Sequence, residues 1–168
     1  MRKICFSFVV LWLCIGSLYS QNMTPTKLNN VLTSVSDSII QLNNQWKFSI
    51  KGVPFICIAD STHNRMRIIS PIAHSNKLTE ELKTASLIAN FHTALDVKYA
   101  ITDDILWSVF IHPLKELSEA QLLDAMSQVY YANVTFGTTF SSTALVFPGK
   151  KPKPKPPIQK NKNLINKI

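Results

Sequence analysis

The sequence predicts an α+β domain in the order α-β-β-β-α-β-β-α, an antiparallel five-stranded sheet with helices packed mainly on one face. Three observations carry this expectation. Apolar residues recur at spacings of three and four in three stretches, the mark of helices with one buried side. Five shorter runs alternate apolar with polar residues or are apolar throughout, as strands do. Turn-forming pairs such as Lys51-Gly52 and Asp103-Asp104 stand between successive strands, so that neighbours run antiparallel.

Thr24-Pro25 opens the first helix, with the threonine as N-cap and the proline at the position where its missing donor costs nothing. Leu28, Val31, Leu32, Val35, Ile39 and Leu42 form one stripe, and Asn43-Asn44 ends it. Trp46, Phe48 and Ile50 then alternate with Lys47, Ser49 and Lys51, a half-buried strand with a polar outer side. Residues 53–60 are more apolar and predict a central strand, with Pro54 tolerable near its start. Ser61-Thr62-His63-Asn64 turns the chain into a third strand over 65–72, where Met66 and Ile68 oppose Arg65 and Arg67.

The second helix is expected over 79–95, with Leu82, Ala85 and Ala89 and also Leu87, Phe91 and Leu95 on a broad buried face. Strands over 96–102 and 105–111 flank Thr102-Asp103-Asp104. The second of these carries Ile105, Trp107, Val109 and Ile111 on one side and Leu106 and Phe110 on the other, so it is central or covered. Ser118-Glu119-Ala120-Gln121 is a capping box, and Leu117 with Leu122 is its staple. Leu122, Met126, Val129, Asn133, Phe136 and Phe140 continue the stripe of a third helix that reaches at least Thr135.

The ends carry other information. Arg2 and Lys3 precede an apolar core of 12 residues, 4–15, which is too short to span a bilayer. Residues 1–20 therefore predict a secretory signal cleaved after Ser20 and a protein that is exported, periplasmic or secreted. Cys14 suggests a lipoprotein alternative, against which the bulky Leu13 argues. Residues 21–148 form one domain, and 149–168 a Lys/Pro-rich tail that cannot build a core and is expected to be extended and polyproline-like. The formal charge of +8 belongs to the ends. Residues 150–167 hold seven lysines and the signal two basic residues, which leaves nine bases against ten acids in 21–148. A nearly neutral domain argues against nucleic acid as its partner.

Leu87-Ile88-Ala89-Asn90-Phe91, Ile105-Leu106-Trp107, Pro113-Leu114 and Leu117-Ser118, in this order of elements, resemble the YbjN-like family of sensory-transduction regulators. That family shares the fold of type III secretion chaperones. The resemblance covers residues 24 to about 142 and implies a chaperone-like fold; its motifs form the fold and carry no catalysis. The secretory signal and the lysine-proline tail both depart from the family pattern.

No chemistry is nominated. His63, His74, His92 and His112 stand at no metal-ligand spacing. Asp103-Asp104 reads as a turn, and Cys57, within Phe55-Ile56-Cys57-Ile58, as a small buried hydrophobe without a disulfide partner in the domain. Asn90 is expected to bond the backbone of a neighbouring segment. The expected protein has no cofactor, metal or catalytic residue. It is a protein-binding or chaperone-like module whose partner is another protein or a second copy of itself. The alternative is tethering of the tail to anionic lipid or lipopolysaccharide through Lys150, Lys151, Lys153 and Lys155.

Overall fold

A computed structural model describes residues 22–143. The signal, its cleavage site and the tail lysines Lys150, Lys151, Lys153 and Lys155 lie outside them. The elements are α1 (Pro25–Val35), β1 (Ser38–Leu42), β2 (Gln45–Ile50), β3 (Val53–Asp60), β4 (Arg65–His74), α2 (Glu80–His92), β5 (Lys98–Thr102), β6 (Ile105–His112) and α3 (Glu119–Val134), with a short 3-10 turn at Ser75–Lys77. All strand pairs are antiparallel and lie in the order β1-β2-β3-β4-β6-β5.

The fold class holds, but the sheet has six strands where five are expected from the sequence. The extra strand comes from the first apolar stripe. Thr24 caps α1 as expected, its side chain accepting from the Lys27 amide. The helix then stops at Val35, because Ser34 and Ser36 turn their hydroxyls onto the carbonyls of Val31 and Leu32 at 2.8 and 2.6 Å. Ile39 and Leu42 are therefore strand residues. Their three-four spacing imitates a helix, whereas Ile39-Ile40 has the β-branching of a strand. Asn43-Asn44 is the connecting two-residue loop, with Asn43 at φ 54°.

Two further hairpins turn on a pair of left-handed residues. Lys51 and Gly52 both have positive φ between Ile50 and Val53, and Asp103 and Asp104 both do between Thr102 and Ile105. A pair of left-handed residues matches the twist of the strands it joins. Asp103-Asp104 is thus a turn, as its composition suggests. The longer β3–β4 loop is held by Asp60, whose carboxylate accepts from the amides of Thr62 and His63 at 2.9 and 3.0 Å.

Trp46, Phe48, Phe55, Cys57, Met66, Ile68, Tyr99, Leu106 and Phe110 point to one side of the sheet and are buried under the helices. Leu28, Val31 and Leu32 of α1 join them, as do Leu122, Ala125, Met126, Val129 and Ala132 of α3. Each large side chain removed from water contributes about 1.5–3 kcal/mol. Polar groups in this layer are paired. The Trp46 indole donates to Asn29 Oδ1 at 2.9 Å, and the Tyr99 hydroxyl donates to the Ala132 carbonyl at 2.8 Å. Asn133 donates to Ser70 Oγ and to the Pro71 carbonyl at 2.7 and 2.8 Å, where a register shift between Pro71 and Ala73 disturbs the β4–β6 ladder. The capping box at Ser118 and Gln121 forms both its bonds, and the stapling Leu117 and Leu122 are buried.

Candidate functional site

The polar residues singled out in the sequence are absorbed by the scaffold. Asn90 lies near the end of α2, a helix capped at Thr79, whose hydroxyl accepts from the Leu82 amide. The asparagine amide faces strand β5: it donates to the Tyr99 carbonyl at 3.1 Å and accepts from the Tyr99 amide at 2.7 Å. A side-chain amide thus does for the outer edge of β5 what another strand would do, and blunts it. Lys98 adds a bond to the Asn90 carbonyl at 3.0 Å and another to Leu95.

Cys57 is fully buried between Trp46 and Ile68 in neighbouring strands, and burial pushes its thiol well above the ordinary range. It is no nucleophile. The His63 ring meets Asp60 at 2.6 Å in an exposed loop, and the amide of His63 is the main cause holding the Asp60 carboxyl below its usual value. His112 reaches the Pro113 carbonyl at 2.7 Å and stacks on Phe110. Asn64 fastens the β3–β4 loop to the segment before α3: its side chain donates to Glu116 at 2.9 Å and accepts from the Lys115 amide at 2.8 Å. That bond from Asn64 is the leading reason the Glu116 carboxyl is lowered. Among the described residues no three His, Cys, Asp or Glu side chains lie close enough to share a metal.

Among the described residues, no element covers the sheet face opposite the helices. Strand alternation and register place its residues in rows. One row runs Ile40, Lys47, Ile56, Ile69, Val109, Lys98 across the six strands. The next runs Leu42, Gln45, Ile58, Arg67, Ile111. Trp107, half-buried, stands beside them. Ile40 and Leu42 are 72% and 71% exposed, and Ile58 and Ile111 are exposed too. The charged side chains that the register places on this face are Lys47, Arg65, Arg67 and Lys98 against Asp60; the Lys98 ammonium is taken by the Asn90 and Leu95 carbonyls, and Asp60 is engaged by His63.

This corrects two expectations. The outer side of β2 does carry Lys47 and Ser49, but the face as a whole is apolar and cationic rather than merely polar. Lys51 does not belong to it; its ammonium lies 5.6 Å from the ring centre of Tyr130, on the helix side. The isoleucines were legible as apolar on both sides of β3 and β6. Among the described residues their side of the sheet is left bare, because α1, α2 and α3 gather over the other. A second correction concerns α2. Ser86 and Ala89 are its buried residues, while Leu87, Ile88 and Phe91 face outward, Phe91 at 86% exposure.

About two thirds of the chain is similar in fold to one chain in each of two solved complexes. It matches a chain of the HopA1–SchA chaperone–effector complex at a TM-score of 0.53 and 12% identity, over 66% of this chain and 90% of that one. It matches a chain from the complex of the Yersinia pestis type III secretion chaperone SycH with a stable fragment of YscM2 at 0.52 and 13%, over 67% and 99%. At such identity the likeness establishes the fold. No family model matches the sequence, and no curated protein sequence does.

Proposed function

We propose that this chain is a non-catalytic, chaperone-like protein-binding module of the bacterial cell envelope or secreted space. The observation that carries the reading is the bare sheet face, where Ile58 and Ile111 remain in water beside Lys47 and Arg67. Soluble domains keep contiguous apolar surface small unless something docks on it. The fitting occupant is an extended protein segment that offers apolar side chains to the isoleucine rows and carboxylates to the cations between them. The apolar contacts would supply affinity and the cations orientation and encounter rate. Support comes also from the two similar structures, both described as complexes with a chaperone. Export is supported by the charged and apolar run at 2–15, and kinship with the YbjN-like family by Leu87–Phe91 and Ile105–Trp107.

The test compares the purified protein with Ile58→Asp and Ile111→Asp variants in capture from an envelope fraction and in binding of acidic, leucine-bearing extended peptides. Loss of binding in the variants at unchanged stability supports the reading. Equal binding by parent and variants refutes it. Periplasmic fractionation checks export. A second reading is favoured by the seven lysines concentrated in 150–167: Lys150, Lys151, Lys153 and Lys155 would hold the protein on anionic lipid or lipopolysaccharide. Deleting residues 150–168 without loss of vesicle binding removes it.

A further inference from the structure

We infer that two copies of this chain pair through the outer edge of β1, antiparallel and about a two-fold axis at Ile40, so that two six-stranded sheets join into one. The sheet has two outer edges, β1 and β5, and they are treated differently. β5 is guarded. The Asn90 side chain holds both the amide and the carbonyl of Tyr99, and the Lys98 ammonium reaches the Asn90 carbonyl. β1 has none of the devices that keep an edge from pairing. Ser38-Ile39-Ile40-Gln41-Leu42 contains no charged residue and no proline, and no described strand lies on its outer side.

The ladder fixes which groups that edge offers. The Ala59 amide donates to the Asn44 carbonyl at 2.9 Å, so Asn44, Trp46, Phe48 and Ile50 turn their backbone groups to β3, and Gln45, Lys47 and Ser49 turn theirs to β1. Leu42, Ile40 and Ser38, their partners in β1, therefore bond inward. The Asp37 amide, which donates to the Ser49 carbonyl at 2.8 Å, agrees with this. Ile39 and Gln41 are left with amide and carbonyl directed outward. Pairing about Ile40 sets Ile39 opposite Gln41 of the second copy and Gln41 opposite its Ile39, and each of these pairs exchanges two backbone bonds.

The side chains and the charges suit a second copy. Ile40 and Leu42, on the bare face, are 72% and 71% exposed. At the axis Ile40 meets its own counterpart in the closer kind of pair, with Cα atoms about 4.5 Å apart. Leu42 lies opposite Ser38. Among two-fold registers this one gives every residue of the five-residue strand an opposite number. Asp37, just before the strand, is turned away onto the Gly52 amide at 3.1 Å. The Lys47 side chains of the two copies stand three strand spacings apart, about 14 Å, beyond the screening length of about 8 Å in physiological salt. Five residues a side fall short of the about 20–30 of a standard interface, so the dimer is weak and reversible. The bare faces of both copies lie on the same side, and the row Ile40, Lys47, Ile56, Ile69 runs on across the junction. Pairing at the edge does not require that anything dock on that face.

The experiment reads sedimentation equilibrium of the purified protein over a concentration series, beside Gln41→Pro, Ile40→Lys and Ile40→Glu, each checked for unchanged urea unfolding. The parent is expected to pass reversibly from monomer to dimer. Gln41→Pro removes an outward amide and leaves the β1–β2 ladder whole, so it is expected to weaken dimerisation at least tenfold without unfolding the chain. Ile40→Lys sets like charges face to face and is expected to do the same, and an equimolar mixture of Ile40→Lys and Ile40→Glu to recover the dimer. Oxidation reads the register. Ile40→Cys is expected to cross-link to its own copy, since the Cα separation admits a disulfide, while the equally exposed Leu42→Cys, about 14 Å from its counterpart, is not. The buried Cys57 does not compete. A parent that stays monomeric at every concentration overturns the inference, whatever else then covers β1. So does a dimer that Phe91→Ser dissociates while Gln41→Pro and Ile40→Lys leave it intact, and so does cross-linking of Leu42→Cys as fast as of Ile40→Cys.

Discussion

Replacing Asn90 by alanine would strip the outer edge of β5 of its only described cap. The structure shows two bonds to one residue, the Tyr99 amide and carbonyl, both pointing away from the sheet and toward α2. Each such bond is worth about 1 kcal/mol net, and water can reach the half-buried edge only in part, so the loss is about 2 kcal/mol. With a urea dependence of about 1–3 kcal/mol per molar, the unfolding midpoint falls by about 1 M at unchanged slope. Equilibrium urea unfolding followed by tryptophan fluorescence measures it. A drop below about 0.5 kcal/mol would refute the argument that the asparagine acts as a surrogate strand. Asn90→Asp sharpens the test. It keeps an acceptor for the Tyr99 amide but sets a carboxylate oxygen against the Tyr99 carbonyl. The new acid then titrates higher in the folded than in the unfolded protein. Its deficit against the parent is full at neutral pH and shrinks as pH falls through that raised value; a deficit independent of pH would contradict the geometry.

Other consequences are simpler to state. Cys57 is expected to resist Ellman's reagent even at pH 9 and to react only at the rate of unfolding, since burial raises its thiol and shuts out the reagent; immediate labelling of the native protein contradicts this. Tyr99, whose phenol burial pushes up to about 12, should lose stability as pH climbs from 10.0, where the unfolded phenol ionises, toward that value. Tyr99→Phe removes this alkaline loss while costing about 1 kcal/mol at pH 7 for the bond to Ala132, and parallel alkaline denaturation curves for parent and variant would be the contrary result. Asn133→Leu leaves the Pro71 carbonyl unpaired beneath α3 and should destabilise by about 1–3 kcal/mol, read by thermal or urea unfolding. An unchanged midpoint would show that the register shift in β4 needs no such support.

Much of the architecture was legible because its signals are local. Thr24 and Ser118 announce helix starts through hydroxyl bonds three residues long, and the pairs Lys51-Gly52 and Asp103-Asp104 announce hairpins through left-handed backbone. What escaped depends on facts outside the local window. Val35, Ile39 and Leu42 keep helical spacing across a break made by Ser34 and Ser36, so β1 hides inside an apparent helix. Leu87 and Phe91 continue the apolar character of α2, but Ala89 and Asn90 are the residues turned inward, because a small side chain and an amide are what the edge of β5 admits. Both faces of β3 and β6 read as apolar, and only the gathering of three helices on one side decides which face is left bare. The site was illegible for the same reason: it is made of rows across strands, and no row exists in the sequence.

Asn133, Ser70 and Ser108 lie where β4 meets β6, the one seam among the described strands that joins segments distant in the chain. Strands β1 to β4 connect through short turns and can zip in order as the chain is made. β4 must then wait with an open edge while α2, β5 and most of β6 are still to come. Closing that seam is the late, entropically demanding step of assembly. Slow folding and premature pairing with another chain should therefore both originate along residues 65–74, so the kinetics of this protein are governed at its middle rather than at its ends.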